Sequence, residues 1–220
     1  MSDRFPALLV SREGEKGQKV DTVELGLDDL MEGDVVVAVE HSTVNYKDGL
    51  AVTGKAPVVR RWPMIPGIDF TGTVESSENP EFKPGDKVVL NGWGVGETHY
   101  GGYAGKARVK SDWLIHLPEG LSGAEAMSIG TAGYTAMLCA FAPERQDVTP
   151  DKGPIVLTCA AGCFGSVSIS ILSNLGYDAI TSTSRPYAVC CVKCPGRHVV
   201  RHRHQPSALT LAPRPHTVPS

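Results

Sequence analysis

The sequence predicts an α/β protein in two parts: a β-rich N-terminal domain, then the opening of a parallel nucleotide-binding sheet. Three observations predict it. Residues 5–125 carry short apolar or alternating runs separated by Gly- and Pro-containing turns. Residues 122–143 change to a helical period built on Ala, Met and Leu. Residues 155–185, IVLTCAAGCFGSVSISILSNLGYDAITSTSR, read as strand, glycine turn, helix and second strand.

Size and composition set the frame. A chain of 220 residues holds one large domain or two small ones with a sizeable core. Its 41% hydrophobic and 20% charged residues describe a globular protein, and no run approaches the roughly 18 uncharged apolar residues of a membrane helix. The start, MSDRFPALLV, has no basic region leading into an apolar run, so no secretory signal is read. Six cysteines without such a signal fit a reducing cytoplasm better than a disulfide framework. The net charge of −3 conceals an asymmetry: five of the 21 Lys+Arg and no acid fall in residues 187–220, leaving 16 bases against 24 acids in residues 1–186.

The elements follow in order. FPALLV and DVVVAVEHSTV read as strands rich in β-branched residues. LMEGD and FKPGDKVVLNG place Gly-Asp turns directly before strands. GGYAGKARVKSDWLIHLPEG adds two more, and strands at this spacing predict a compact barrel or sandwich. Ser122 is the expected N-cap of the next helix, with Glu125 closing a capping box. Gly130 and Gly133 are expected to break it into two helices ending before Pro143. The predicted division is residues 1–125 for the barrel, 126–186 for connecting helices and the first part of the nucleotide-binding domain, and 187–220 for a tail without regular structure.

In the last α/β unit Ile155–Thr158 is expected as a buried parallel strand. Ala160, Gly162 and Gly165 fall on the three positions of a G-x-G-x-x-G fingerprint, with Ala at the first. The helix from Ser166 to about Leu175 points free N–H groups at phosphate, and Gly176 ends it. At the end of the second strand an Asp or Glu would bind the ribose hydroxyl of NAD. Thr183, Ser184 and Arg185 stand there instead, two hydroxyls and a guanidinium suited to a 2′-phosphate, so NADPH is the predicted cofactor.

In sequence order, VNYKDGLAVTG, IPGIDFTGTV, FKPGDKVV, GGYAGKARV and GTAGYTAML resemble the zinc-independent branch of the medium-chain dehydrogenase/reductases, of the acrylyl-CoA reductase type often labelled quinone oxidoreductase. The resemblance covers residues 5–186. It implies a GroES-like β-barrel followed by an incomplete Rossmann domain, and NADPH-dependent reduction of an activated carbon–carbon double bond in an enoyl thioester such as acrylyl-CoA, or of a quinone. Alcohol dehydrogenases of the superfamily place a cysteine where VNYKD stands and Gly-His-Glu where PGIDF stands. Asn45 or Tyr46 and Ile68-Asp69 occupy those positions, and residues 91–110 hold no cysteine, so neither zinc site is expected. By position the resemblance puts Tyr46 beside the nicotinamide as the candidate catalytic donor. It makes Ala161, Gly162, Cys163 and Phe164 the phosphate turn, and Thr183, Ser184 and Arg185 the 2′-phosphate clamp. Thr131 is a weaker cofactor contact, and Lys47 and Asp48 are expected to pair with each other.

Two departures stand out. Cys159, Cys163 and Phe164 replace the Gly, Gly and small aliphatic of the family pattern, each by a single G-to-T change. Their side chains crowd the turn if its backbone needs positive φ. Residues 187–220 match neither family segment and read as an out-of-frame translation; an unfinished sheet edge of this kind favours association, here a homodimer. The rival reading of the tail takes Cys191, Cys194, His198 and His202 as zinc ligands in a basic, nucleic-acid-touching segment, but no apolar core accompanies them. The expected partner is therefore a small-molecule substrate, with neither nucleic acid nor membrane. The functional alternative is a catalytically incompetent fragment with residual nucleotide binding.

Overall fold

The computed structural model describes residues 4–14, 17–158, 160, 162–183 and 199–202. They form two compact units, Met1–Thr135 and Ala136–Ser220, divided inside the helix that the sequence places after Ser122.

Among the described residues the sheets of the first unit are antiparallel, joined by short helical segments and the start of a long helix. Strands β1 (Phe5–Glu13) and β2 (Gly17–Leu25) make a hairpin. Strands β3 (Val35–Ser42), β4 (Asp69–Ser77), β5 (Lys87–Asn91), β6 (Lys106–Val109) and β7 (Ile115–His116) form a sheet in the order β6-β3-β4-β5-β7. Single backbone bridges, Ala7 to Ala104 and Val10 to Met64, tie the hairpin to the rest of the unit. The pleat explains the core: Val35 and Val37, Phe70 and Val74, Val88 and Leu90, and Ala107 and Val109 repeat every second or fourth residue, and all are buried in one cluster. The opposite face is covered in part, since Val36, Thr71 and Val89 are also buried and Val89 packs against Ala126 and Met127; toward its edge Lys87 Nζ meets Glu40 at 2.6 Å.

Helix α1 (Tyr46–Thr53) closes on Gly54 at φ 66°. Helix α2 (Gly123–Glu144) begins with the expected capping box: Ser122 N donates to Glu125 Oε2 at 2.8 Å and Glu125 N to Ser122 Oγ at 3.2 Å. Gly130, at φ 50° and ψ −164°, is its one break. Gly133 continues the helix, because glycine takes helical angles when packing asks for them, and Pro143 sits in the last turn rather than beyond it.

The second unit carries β8 (Ile155–Leu157), α3 (Cys163–Asn174), β9 (Ala179–Thr183) and β10 (Val199–His202), with the strands parallel in the order β10-β9-β8. Two expectations change here. Strand β8 is not fully buried, since Val156 is 55% exposed. Residues 199–202, expected without regular structure, pair in parallel with Ile180–Thr183; two adjacent valines suit the open edge that β9 offers. The rest of the 187–220 tail, with Cys191, Cys194 and His198, lies outside the described residues.

Phe70 is wholly buried at the centre of the barrel core. Phe70→Ala is expected to cost about 3–5 kcal/mol, read as a lowered urea midpoint.

Candidate active site

The glycine turn of the second unit lies between β8 and α3, beside β9. Ala160 is fully buried and its N–H donates to Ser182 O at 3.3 Å, which ties the turn to β9. Gly165 packs against it so closely that a Cβ would lie 2.5–2.6 Å from Ala160 backbone atoms. The third glycine of the fingerprint is thus a packing requirement, the role the sequence assigns to it. Gly162 precedes the helix in extended conformation and supplies no side-chain cap, and no acid occupies the first turn. The leading N–H groups of α3 therefore have no acceptor from a cap, and the helix dipole favours an anion there.

The helix starts three residues earlier than the sequence suggests, at Cys163. This removes the strain expected there: Cys163 is helical and exposed, so its Cβ meets no positive φ. Phe164 is half-buried. Thr183 ends β9, while Cys159, Ala161, Ser184 and Arg185 lie outside the described residues.

The first unit holds a second polar centre around Asp69, which is completely buried. Its Oδ2 accepts from Thr43 Oγ1 at 2.8 Å, Asn45 Nδ2 at 2.9 Å and Thr131 N at 3.0 Å. Its Oδ1 accepts from Asn91 Nδ2 at 3.0 Å and from the Thr131 hydroxyl. The kink at Gly130 turns the Thr131 N–H toward this carboxylate, and a Cβ on Gly130 would meet Asp69 Oδ2 at 3.3 Å and Thr43 at 3.0 Å. Asp48, also buried, accepts from Asn45 N at 2.8 Å and Ile68 N at 3.1 Å. Burial pushes the Asp48 carboxyl above its ordinary value, against the pull of those N–H groups. Burial likewise raises the Tyr103 phenol, with the Asp48 and Asp69 carboxylates adding to it; its hydroxyl donates to Thr43 O at 2.8 Å.

Tyr46 stands next to this network as the first residue of α1, 84% exposed, with Asn45 held beneath it at main chain and side chain. Three sequence readings are refined. Thr131 spends both its N–H and its hydroxyl on Asp69. Lys47 pairs with Glu97 at 2.8 Å instead of with Asp48, whose burial directs it to backbone N–H groups. Asp69, read in the sequence only as the replacement for a zinc ligand, is the hub; no periodicity joins residues 43, 45, 69, 91 and 131, so only the fold reveals it.

A GroES-like barrel with this turn is matched elsewhere. Residues 31–119 match the family model of the alcohol dehydrogenase GroES-like domain. The acrylyl-CoA reductase AcuI of Ruegeria pomeroyi is 54% identical over 183 residues, which cover 83% of this chain and 56% of that protein. The crystal structure of the yhdH oxidoreductase from Salmonella enterica in complex with NADP superposes with a TM-score of 0.86 at 45% identity, covering 90% of this chain and 61% of that one. Bacillus subtilis protein yhfP, solved with NAD bound, gives 0.85 at 38% identity, covering 92% and 61%. The chain belongs to the medium-chain dehydrogenase/reductases. Within them it groups with the acrylyl-CoA reductase type, and it spans a little over half the length of the curated relatives it matches.

Two outcomes follow from this geometry. Gly165→Ala is expected to lower stability by about 1–3 kcal/mol in urea denaturation, because the new methyl meets backbone that cannot yield. Because the folded pKa of Asp48 is raised above the ordinary 3.8, the folded state holds that proton more tightly than the unfolded state. Stability is therefore lost as pH rises from that value through the raised one. In paired urea titrations the stability of Asp48→Asn relative to the parent should rise across that window and then level off.

Proposed function

We propose that the chain serves an NADPH-dependent, zinc-independent reductase of activated carbon–carbon double bonds, with an acrylyl-CoA-like enoyl thioester as substrate and a quinone as the second acceptor class. One observation carries this reading: the turn between β8 and α3 combines a glycine that packs helix on turn with an uncapped helix N-terminus, whose N–H groups are donors for a pyrophosphate. The NADP held by the Salmonella relative and the naming of AcuI support the chemistry.

Ala161, Gly162, Cys163 and Phe164 are the residues assigned to the pyrophosphate, and Thr183, Ser184 and Arg185 those assigned to the 2′-phosphate, where hydroxyls and a guanidinium replace the acid that would select NAD. NADPH supplies the hydride when bound. Tyr46 is assigned as donor to the substrate carbonyl, the atom on which enolate charge develops. Asp48 and Asp69 serve it by fixing Asn45, and with it the first turn of α1. Asn45 or Tyr46 stands where zinc enzymes of the superfamily carry Cys, and Ile68-Asp69 where they carry His-Glu, so hydrogen bonding is the assigned means of polarising the carbonyl.

A cytoplasmic setting, a homodimer and a small-molecule partner complete the reading. Among the described residues no helix is long and apolar enough to cross a membrane.

The test is the loss of NADPH absorbance with acrylyl-CoA or benzoquinone, using the full chain. Turnover is expected, and Arg185→Ala should weaken NADPH about 10–100-fold while leaving NADH unchanged. Saturable NADPH binding without turnover on either acceptor supports the alternative, a chain that binds nucleotide without catalysis. Absence of binding overturns both.

A further inference from the structure

We propose that a cleft on the β-rich unit is a separate binding site for an adenine nucleotide, held by ring stacking and paired charges. This site goes beyond the proposed reduction and does not depend on it. The chain has three tryptophans, Trp62, Trp93 and Trp113, and all three line this one cleft of about 640 Å³, a size that suits a nucleotide-sized ligand.

Trp93 is the most telling of them. Its backbone lies in the left-handed region at φ 55°, a costly conformation for a bulky side chain. Burial does not offset that cost, since Trp93 is 62% exposed. The loop enforces it: Gly92 N donates to Ile68 O at 2.9 Å, Val95 N to Gly92 O at 3.1 Å, and Thr98 N to Gly94 O at 2.9 Å. The chain thus holds an indole face open to solvent. That face lies within 14° of parallel to Trp113, with ring centroids 6.5 Å apart, and His99 stands edge-on to Trp113 at 5.1 Å.

The charges narrow the ligand. Arg61 lines the cleft and has no ion-pair or side-chain hydrogen-bond partner among the described residues. Lys110 Nζ sits 5.7 Å from the Trp113 ring centroid. These two cations suit a phosphate. Glu32, from a different segment of the wall, likewise has a carboxylate without a partner among the described residues, and it suits an exocyclic amino group. A cationic ligand is disfavoured because Arg12 and Lys110 already lie over Trp62 and Trp113. Asp29, the other acid of the lining, has its Oδ2 engaged by Gly26 N at 2.7 Å, so a planar ring with an amino group toward Glu32 and phosphate toward Arg61 and Lys110 fits the remaining groups, and adenine nucleotides have that chemistry. The ligand could be the nucleotide end of a coenzyme A thioester or a free adenine nucleotide.

Because every tryptophan of the chain lies in this cleft, intrinsic tryptophan emission reports on it alone. The probes are AMP, adenosine 3′,5′-bisphosphate and inorganic phosphate, titrated into the full chain with calorimetry in parallel. Saturable quenching by both adenine probes and none by phosphate is expected. Trp93→Gly, which suits the left-handed backbone and should not lower the melting temperature, is expected to weaken binding about tenfold or more. Arg185→Ala, in the cofactor turn, should leave it unchanged. A bisphosphate preference of about tenfold over AMP assigns the site to the coenzyme A end, and equal affinities assign it to free adenine nucleotides; both support the site. The proposal is overturned if neither probe saturates at millimolar concentration. It is equally overturned if Trp93→Gly binds like the parent, or if Arg185→Ala abolishes the signal.

Discussion

The barrel unit is organised around one buried carboxylate. Asp69 sits at the start of β4 with both oxygens fully engaged, and its donors come from the segment after β3, the end of β5 and the kink of α2. A buried charge is tolerable only when its hydrogen bonds are complete, so these segments must arrive together or the cost is severe. The requirement propagates outward. Gly130 must break α2 to present Thr131, and Asn45 must be held for α1 to start where it does. Tyr46, exposed beside it, inherits a fixed base.

The second unit depends on close approach of backbone to backbone. Gly165 lets α3 lie against Ala160, and that contact aims the uncapped end of the helix at the turn. The two centres use opposite means. One collects side-chain donors around a charge, whereas the other removes side chains so that main-chain donors stay available.

Much of this was legible in the sequence, and the reasons differ by element. Strands β3 and β5 announce themselves through β-branched runs after Gly-Asp turns, and the Ser122–Glu125 box marks the start of α2 through purely local bonds. Gly130 and Gly133 look equivalent in sequence, yet only Gly130 adopts a non-helical conformation, because only there does a buried acceptor reward it. Lys47 and Asp48 are adjacent, but burial sends one carboxylate inward and leaves the amine to Glu97. The 199–202 strand is not legible in the sequence, because its pairing depends on an edge supplied by β9, which local composition does not describe.

The sequence by itself determined the class of the protein: the barrel pattern, the glycine fingerprint and the run of family motifs are local and ordered along the chain. Tertiary structure alone decided which residues meet. The hydrogen bonds of Asp69 and the gathering of three tryptophans in one cleft join positions tens of residues apart, with no shared period. Such contacts arise from the folded path of the backbone and the need to satisfy buried polar groups, and neither is written in any single stretch of sequence.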